Sequence, residues 1–264
     1  MELAEALNLK DIGLLSAVGG GGKTSLIFKL ARELKTRGKT VLVTTTTKIY
    51  LPPSGSDITL ILESDCQRAL KLIKQRMISE QTSGIEEGKI IVWGKKVIPG
   101  EKMEGVRTDT ADRIYSDGMF DFILVEADGA KRKPVKAPAS HEPQVPRNTT
   151  HLLGIVGLDA VGMPLSEDFF HRPELVYKEL AYSPHSIIDE ELISFLVTWE
   201  NGLFKNAPIN AQKVLVLNKA DDEEAKRKAE RISKRILMQV KGIIPDRIIF
   251  TSLITEPPVM EVFL

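Results

Sequence analysis

The sequence predicts an α/β protein with a doubly wound, mostly parallel sheet and helices on both faces. Three observations predict it. Short apolar runs alternate with amphipathic helical stretches along 264 residues. Several of those runs are continuously apolar, which suits strands covered on both faces. The first run leads through consecutive glycines into Lys23-Thr24 at the start of a helix. Strand–helix alternation of this kind favours parallel pairing through crossover helices.

The elements follow in order. Ile12 to Val18 reads as a strand. Lys23 to Arg37 reads as a helix, with Leu26, Ile27, Leu30 and Leu34 on one face. Gly38 suits the position just past its end, where φ is often positive. Thr40 to Thr44 and Ile58 to Leu62 are the next strands, and a helix opens at Ser64 and runs through Leu70, Ile73 and Met77. Lys89 to Trp93 and Val97 to Ile98 flank Gly94-Lys95 and read as a small hairpin. Thr108 to Tyr115 is a short helix and Phe122 to Val125 a buried strand. A Pro- and Lys-rich loop runs from Asp128 to Arg147, and Leu152 to Val156 is again a strand. Ser186 to Asp189 form a capping-box pattern before a helix ending near Gly202. Val214 to Leu217, the charged helix Asp222 to Val240, and Ile248 to Phe250 complete the alternation. The organisation expected is a single domain over 1–264, with elaborations at about 48–120 and 158–212.

Lys plus Arg and Asp plus Glu both total 36, so bulk charge gives no support for a nucleic-acid or membrane-surface partner. The lone cysteine, Cys66, forms no internal disulfide and reads as a neutral thiol in a reducing, cytoplasmic setting. The first ten residues lack the apolar segment of a signal peptide, and no apolar run is long enough to span a membrane.

Ala17 to Thr24 matches the spacing of a phosphate-binding P-loop, with Ala17 in place of the usual first glycine. Gly19, Gly20, Gly21 and Gly22 let the backbone approach phosphate oxygens, and the helix dipole adds its positive end. Lys23 is the β/γ-phosphate cation, Thr24 a Mg²⁺ ligand, and Ser25 the next hydroxyl in the helix mouth. Phe122 to Val125 delivers Glu126, which is expected beside Mg²⁺, through water where not directly. Asp128 is a second carboxylate, and Glu126 or Asp128 would order the attacking water. Asp128 also reads as a turn former before Gly129.

A strand leads into Asn218-Lys219-Ala220-Asp221, which resembles the guanine-specificity motif of GTPases. There Asp221 accepts from the paired guanine donors, Lys219 packs along the base and Asn218 ties the loop together. Ser252 and Leu253 follow the last strand, where GTPases touch the guanine O6. The same Asn218 to Asp221 segment also reads as a helix N-terminus. GTP is therefore expected before ATP.

The remaining candidates surround a cargo or acceptor. Thr45, in the run Thr44 to Thr47, would face the metal and γ-phosphate, or simply end a β-branched strand. Lys48 is a candidate phosphate contact. Lys131, Arg132, Lys133 and Lys136 would hold an anionic cargo, and they also read as a solvated charge run. His141-Glu142 and His171-Arg172 are candidates to converge on a cargo or metal, whereas His151 and His185 carry no motif.

In this order the motifs resemble the YqeC family: the Gly19 to Thr24 loop, Thr44 to Lys48, Glu126 to Ala130, and Lys136 to Pro143. The likeness continues through Gly157 to Asp159, His171 to Glu174 and Asn218 to Asp221, nearly the whole chain. The resemblance implies a P-loop NTPase related to the metal-cofactor maturation GTPases of urease and hydrogenase, which share the Glu-x-x-Gly of Glu126 to Gly129. It implies an accessory protein for selenium-dependent molybdenum hydroxylases, with the hydroxylase or a cofactor-handling protein as partner. Val18 stands where MinD-like ATPases carry a signature lysine, so their dimer-dependent mechanism is not implied; a homodimer is left open. The expected activity is slow Mg²⁺-dependent hydrolysis of GTP, or less favourably ATP. The alternatives are a small-molecule kinase with its acceptor on the 131–142 loop, and a nucleotide-gated binding module with negligible turnover.

Overall fold

A computed structural model describes residues 1–52, 57–79, 88–180 and 182–264. Helix α1 (Leu3–Ala6) precedes β1 (Gly13–Gly19), α2 (Lys23–Thr36), β2 (Thr40–Thr45), β3 (Lys48–Tyr50), β4 (Thr59–Leu62) and α3 (Cys66–Ser79). Next come β5 (Lys89–Gly94), β6 (Lys96–Ile98), β7 (Lys102–Glu104), α4 (Thr108–Ser116), β8 (Phe122–Glu126), β9 (Val135–Lys136) and β10 (His151–Gly157). The chain ends with β11 (Phe170–His171), α5 (Glu174–Tyr177), α6 (Glu190–Thr198), β12 (Gln212–Asn218), α7 (Glu223–Leu237), β13 (Arg247–Thr251) and β14 (Val259–Val262).

Nine strands form one sheet in the order β14-β13-β12-β10-β1-β8-β2-β5-β4. Every pairing is parallel except β13 with β14 at one edge. The unbroken apolar runs are explained by burial on both faces. In β1, Leu14 and Val18 join one core with residues of α3, α4, α6 and α7. Leu15 and Ala17 point the other way, into a core with α1 and α2. In β8, Ile123 and Val125 divide from Phe122 and Leu124 in the same way. Leu26, Ile27, Leu30 and Leu34 of α2 are all buried, as the helical spacing requires. Gly38 takes φ 76° just past that helix.

Two local expectations are corrected. Gly94-Lys95 is not a hairpin turn. Its first arm, β5, is a core strand paired with β2 and β4, because Ile90 to Trp93 is wholly apolar and buried on both sides. The hairpin is instead β6 with β7, in a small side sheet ordered β3-β7-β6. The capping box is also displaced: Asp189 is itself the N-cap of α6 and accepts from the Leu192 N–H at 2.8 Å. Likewise α7 begins after Asp222, whose carboxylate accepts from Ala225 N–H.

No helix among the described residues is long and apolar enough to cross a membrane. The parallel strands bring their C-terminal ends to one rim of the sheet. Ala17 is level with Glu126, Gly19 with Ile155, Gly157 with Asn218, and Asn218 with Thr251. Ligands of open parallel sheets bind on that rim.

Candidate functional site

The loop after β1 is held by its neighbours. Gly19, Gly21 and Gly22 take φ of 92°, 73° and 122°. A Cβ on Gly21 would lie 2.3 Å from Gly157 N, so no side chain fits there. Three amides of the loop are used internally: Gly19 N–H donates to Asp128 Oδ2 at 3.0 Å, Gly20 N–H to Ile155 O at 2.9 Å and Gly21 N–H to Lys133 O at 3.0 Å. Among the described residues, the amides of Gly22, Lys23, Thr24 and Ser25 find no acceptor. These are the orphan donors of a helix mouth, and they lie at the positive end of its dipole.

Lys23 is buried. Its Nζ donates to Gly19 O at 2.5 Å and lies 3.1 Å from Asp128 Oδ1 and 3.9 Å from Glu126 Oε1. Burial disfavours its charge, but Asp128 and Glu126 outweigh that and raise its pKa. Thr24 donates its hydroxyl to Glu126 Oε2 at 2.7 Å. Burial raises the Glu126 carboxyl against the pull of Lys23 and Thr24. A hydroxyl and a carboxylate at the loop's mouth are the hard oxygen donors that Mg²⁺ takes, so this pair fits the expected metal.

Asp128 extends the cluster. Its Oδ2 lies 3.1 Å from Lys136 Nζ, which also reaches Glu142 Oε2 at 2.8 Å and Gly129 O at 2.7 Å. Arg172 Nη1 donates to the same Glu142 oxygen. The strand pairing of β9 with β11, which sets Lys136 opposite His171, brings these segments together. The outcome is an unbroken chain of alternating charge, from Lys23 through Asp128, Lys136 and Glu142 to Arg172. Desolvation opposes the Glu142 charge, yet Lys136 and Arg172 hold its carboxyl down at about 2. Stability from Glu142 is therefore full above its unfolded value of about 4.5 and is lost as pH falls toward 2.

His171 is buried, and desolvation plus the charges of Arg172, Lys136 and Lys131 push its pKa down to about 4. An unfolded histidine titrates near 6.5, so the folded state prefers the neutral ring. Its contribution is full above about pH 6.5 and is lost between there and about pH 4. His171→Gln should flatten the drop in urea stability between about pH 7 and about pH 5. An unchanged drop in the variant would remove His171 from that account.

At the other side of the loop, Asn218 Nδ2 donates to Gly21 O at 2.7 Å, and its Oδ1 accepts from Thr251 at 3.0 Å. Asn218 therefore ties β12 and β13 to the phosphate loop. Asp221 is exposed and accepts from Ser252 Oγ at 2.6 Å, and Lys219 pairs with Asp159 at 2.6 Å. Leu253 lines a cavity of about 660 Å³ along α2 with Thr24, Ser25 and Phe28.

The structure does not bring all candidates to one place. Lys48, Lys131, Arg132, Glu142, His171 and Arg172 line a cavity of about 590 Å³ over Gly21 to Ser25 and Glu126. His141 lies apart, in a neighbouring cavity of about 630 Å³ that shares Lys48, Gly129 and Glu142. Thr45 is buried and donates to Glu126 O at 2.7 Å, so it braces the acidic strand end. Lys136 is buried as well and spends its ammonium on protein oxygens. Among the described residues no three His, Cys, Asp or Glu side chains gather as metal ligands; Glu142 meets Lys136 and Arg172 instead. Cys66 opens α3, and burial pushes its thiol up, away from the reactive thiolate. Sequence reasoning missed Tyr50 and Lys102, whose three-residue strands are too short for any periodic signal.

The chain is 28% identical over 206 residues to the Escherichia coli (strain K12) protein described as "Uncharacterized protein YqeC", covering 78% of this chain and 75% of that one. The family described as YqeC protein matches residues 15–174, from β1 through the phosphate loop and the Lys23-to-Arg172 charge chain. With more than half of its length matched, and with the buried cluster inside the match, the chain belongs to the YqeC family.

Proposed function

We propose that the protein binds a magnesium–nucleoside triphosphate, GTP before ATP, and hydrolyses it slowly. One observation carries the reading. The free amides of Gly22 to Ser25, the Lys23 ammonium and the Thr24–Glu126 pair at 2.7 Å converge on one cavity. Donors, a cation and metal-binding oxygens together are what a triphosphate needs, and a single anion would leave the oxygens unused.

Bound Mg²⁺ would supply charge neutralisation at the β- and γ-phosphates, with Thr24 and Glu126 as its protein side. Lys23 would turn from Asp128 to the phosphates and offset charge developing in the transition state. Asp128 keeps Lys136 and Gly19 N–H as partners, so its carboxylate stays fixed while Lys23 moves. Glu126 or Asp128 would then orient water at the terminal phosphate.

Guanine preference rests on Asp221, which is exposed beside Ser252 at the end of β12. Its carboxylate suits paired N–H donors, which adenine lacks, and a wrong base would leave it desolvated without partners. In a binding panel, the parent should favour GTP over ATP. Asp221→Asn should weaken GTP about tenfold or more and leave ATP unchanged. Equal parent affinities for the two would sink the guanine part. Phosphate release from GTP with Mg²⁺ tests turnover.

The wider role rests on the resemblance to cofactor-maturation GTPases. The protein would act in the cytoplasm as an accessory factor that couples nucleotide state to maturation or insertion of a molybdenum-type cofactor. Its partner would be a hydroxylase or a cofactor-handling protein.

A further inference from the structure

The cavity over the phosphate loop carries more positive charge than a triphosphate consumes. Lys48, Lys102, Lys131, Arg132 and Lys133 all line it, and none has a carboxylate partner among the described residues. The buried cluster cannot neutralise them, because Lys23, Lys136 and Arg172 already balance Glu126, Asp128 and Glu142. Lys219, the last cation of the lining, is paired with Asp159. A magnesium–triphosphate brings a net charge of about −2, which leaves a surplus of about three positive charges on the wall.

The wall is also built rather than loose. Strands β3 and β7 place Tyr50 opposite Lys102. The Tyr50 ring holds the Arg132 guanidinium at 4.0 Å and the Lys102 ammonium at 4.9 Å from its centre. Cations over a ring keep their charge while losing freedom. Lys131 and Arg132 take left-handed φ of 47° and 62°, a costly conformation for consecutive non-glycine residues. The turn presents both side chains to the cavity that Lys102 and Lys48 enter from the side sheet. An anion bound among these groups would gain from several cations at once and offset their mutual repulsion.

We infer that the Lys48, Lys102, Lys131 and Arg132 wall around Tyr50 is a second subsite, for a small phosphate-bearing anion held beside the nucleoside triphosphate. A phosphate group fits better than a lone carboxylate, because its three oxygens and roughly two charges match several convergent donors, including a planar guanidinium. The subsite rests on the triphosphate reading only in taking Lys23 and the Gly22 to Ser25 amides as already engaged.

The test is calorimetric binding of inorganic phosphate to the full chain, with and without saturating Mg²⁺ and a non-hydrolysable GTP analogue. Phosphate should bind the loaded protein with an affinity that falls as salt rises. Arg132→Ala and, separately, Lys102→Ala should each weaken phosphate about tenfold and change analogue affinity less than about threefold. A thermal melt of each variant identifies a folding defect, and the other variant then decides. Failure of phosphate to bind the loaded protein would overturn the subsite. So would phosphate affinity unchanged in both variants, or equal loss of analogue binding, which would assign the wall to the triphosphate. Arg132-dependent phosphate binding without any analogue binding would keep the subsite and sink the nucleotide reading instead.

Discussion

Lys136→Met is expected to cost about 3–5 kcal/mol of folding stability, the largest effect of any single substitution in the charge chain. Lys136 is 1% exposed, and its three ammonium donors meet three acceptors, on Asp128, Glu142 and Gly129. Methionine fills most of the volume but leaves Asp128, itself 2% exposed, with a carboxylate oxygen facing no cation. It also strips Glu142 of one of the two cations that hold its carboxyl near 2, leaving Arg172 alone. The penalty is that of an uncompensated buried charge, not the net worth of the original pair. Lys136→Met with Glu142→Gln should accordingly recover part of the loss, as interacting neighbours do. Urea denaturation at neutral pH measures both. A single-variant cost below about 1 kcal/mol would mean that the chain is solvated or rearranges freely.

Lys136 also illustrates what a sequence conceals. In the run from Lys131 to Lys136 all four cations look equivalent, yet Lys131 and Arg132 are exposed while Lys136 is buried. What separates them is the two-residue pairing of β9 with β11, between segments 35 residues apart. Nothing periodic announces such a contact. The same limit applies to Tyr50 and Lys102, and to Gly94-Lys95, where turn-forming residues suggested a hairpin that the buried run Ile90 to Trp93 overrode. Long continuous elements behaved differently. β1, α2, β8, β10 and β12 were legible because burial on both faces, or on one helical stripe, demands an apolar pattern no loop imitates. Glu126 and Asn218 were legible for a related reason. Each ends such a strand, and parallel strands deliver their C-terminal residues to one rim.

Lys23→Met should reduce triphosphate affinity about a hundredfold or more and so remove most of the triphosphate-dependent stabilisation. Among the described residues, Lys23 is the one buried cation that the cavity and the charge chain share: its Nζ is 3.1 Å from Asp128, and its backbone opens the helix mouth. In the parent, triphosphate at a hundred times its dissociation constant should raise stability by about 2.7 kcal/mol, read as a shift in melting temperature. At the same nucleotide concentration, the variant should keep at most about 0.4 kcal/mol of that stabilisation. Its unliganded stability will also fall, since Asp128 and Glu126 lose a counter-charge in a buried place. The nucleotide-dependent shift separates the two effects, because each protein serves as its own reference. Lys23→Met combined with Asp128→Asn sharpens the distinction further. Removing both members of the pair should recover part of the unliganded stability, since Lys136 and Glu126 still lose a counter-charge, while leaving the shift nearly absent. A shift that survives at full size in either variant would place the phosphates elsewhere on the rim, and Lys23 would then belong to the architecture of the charge chain alone.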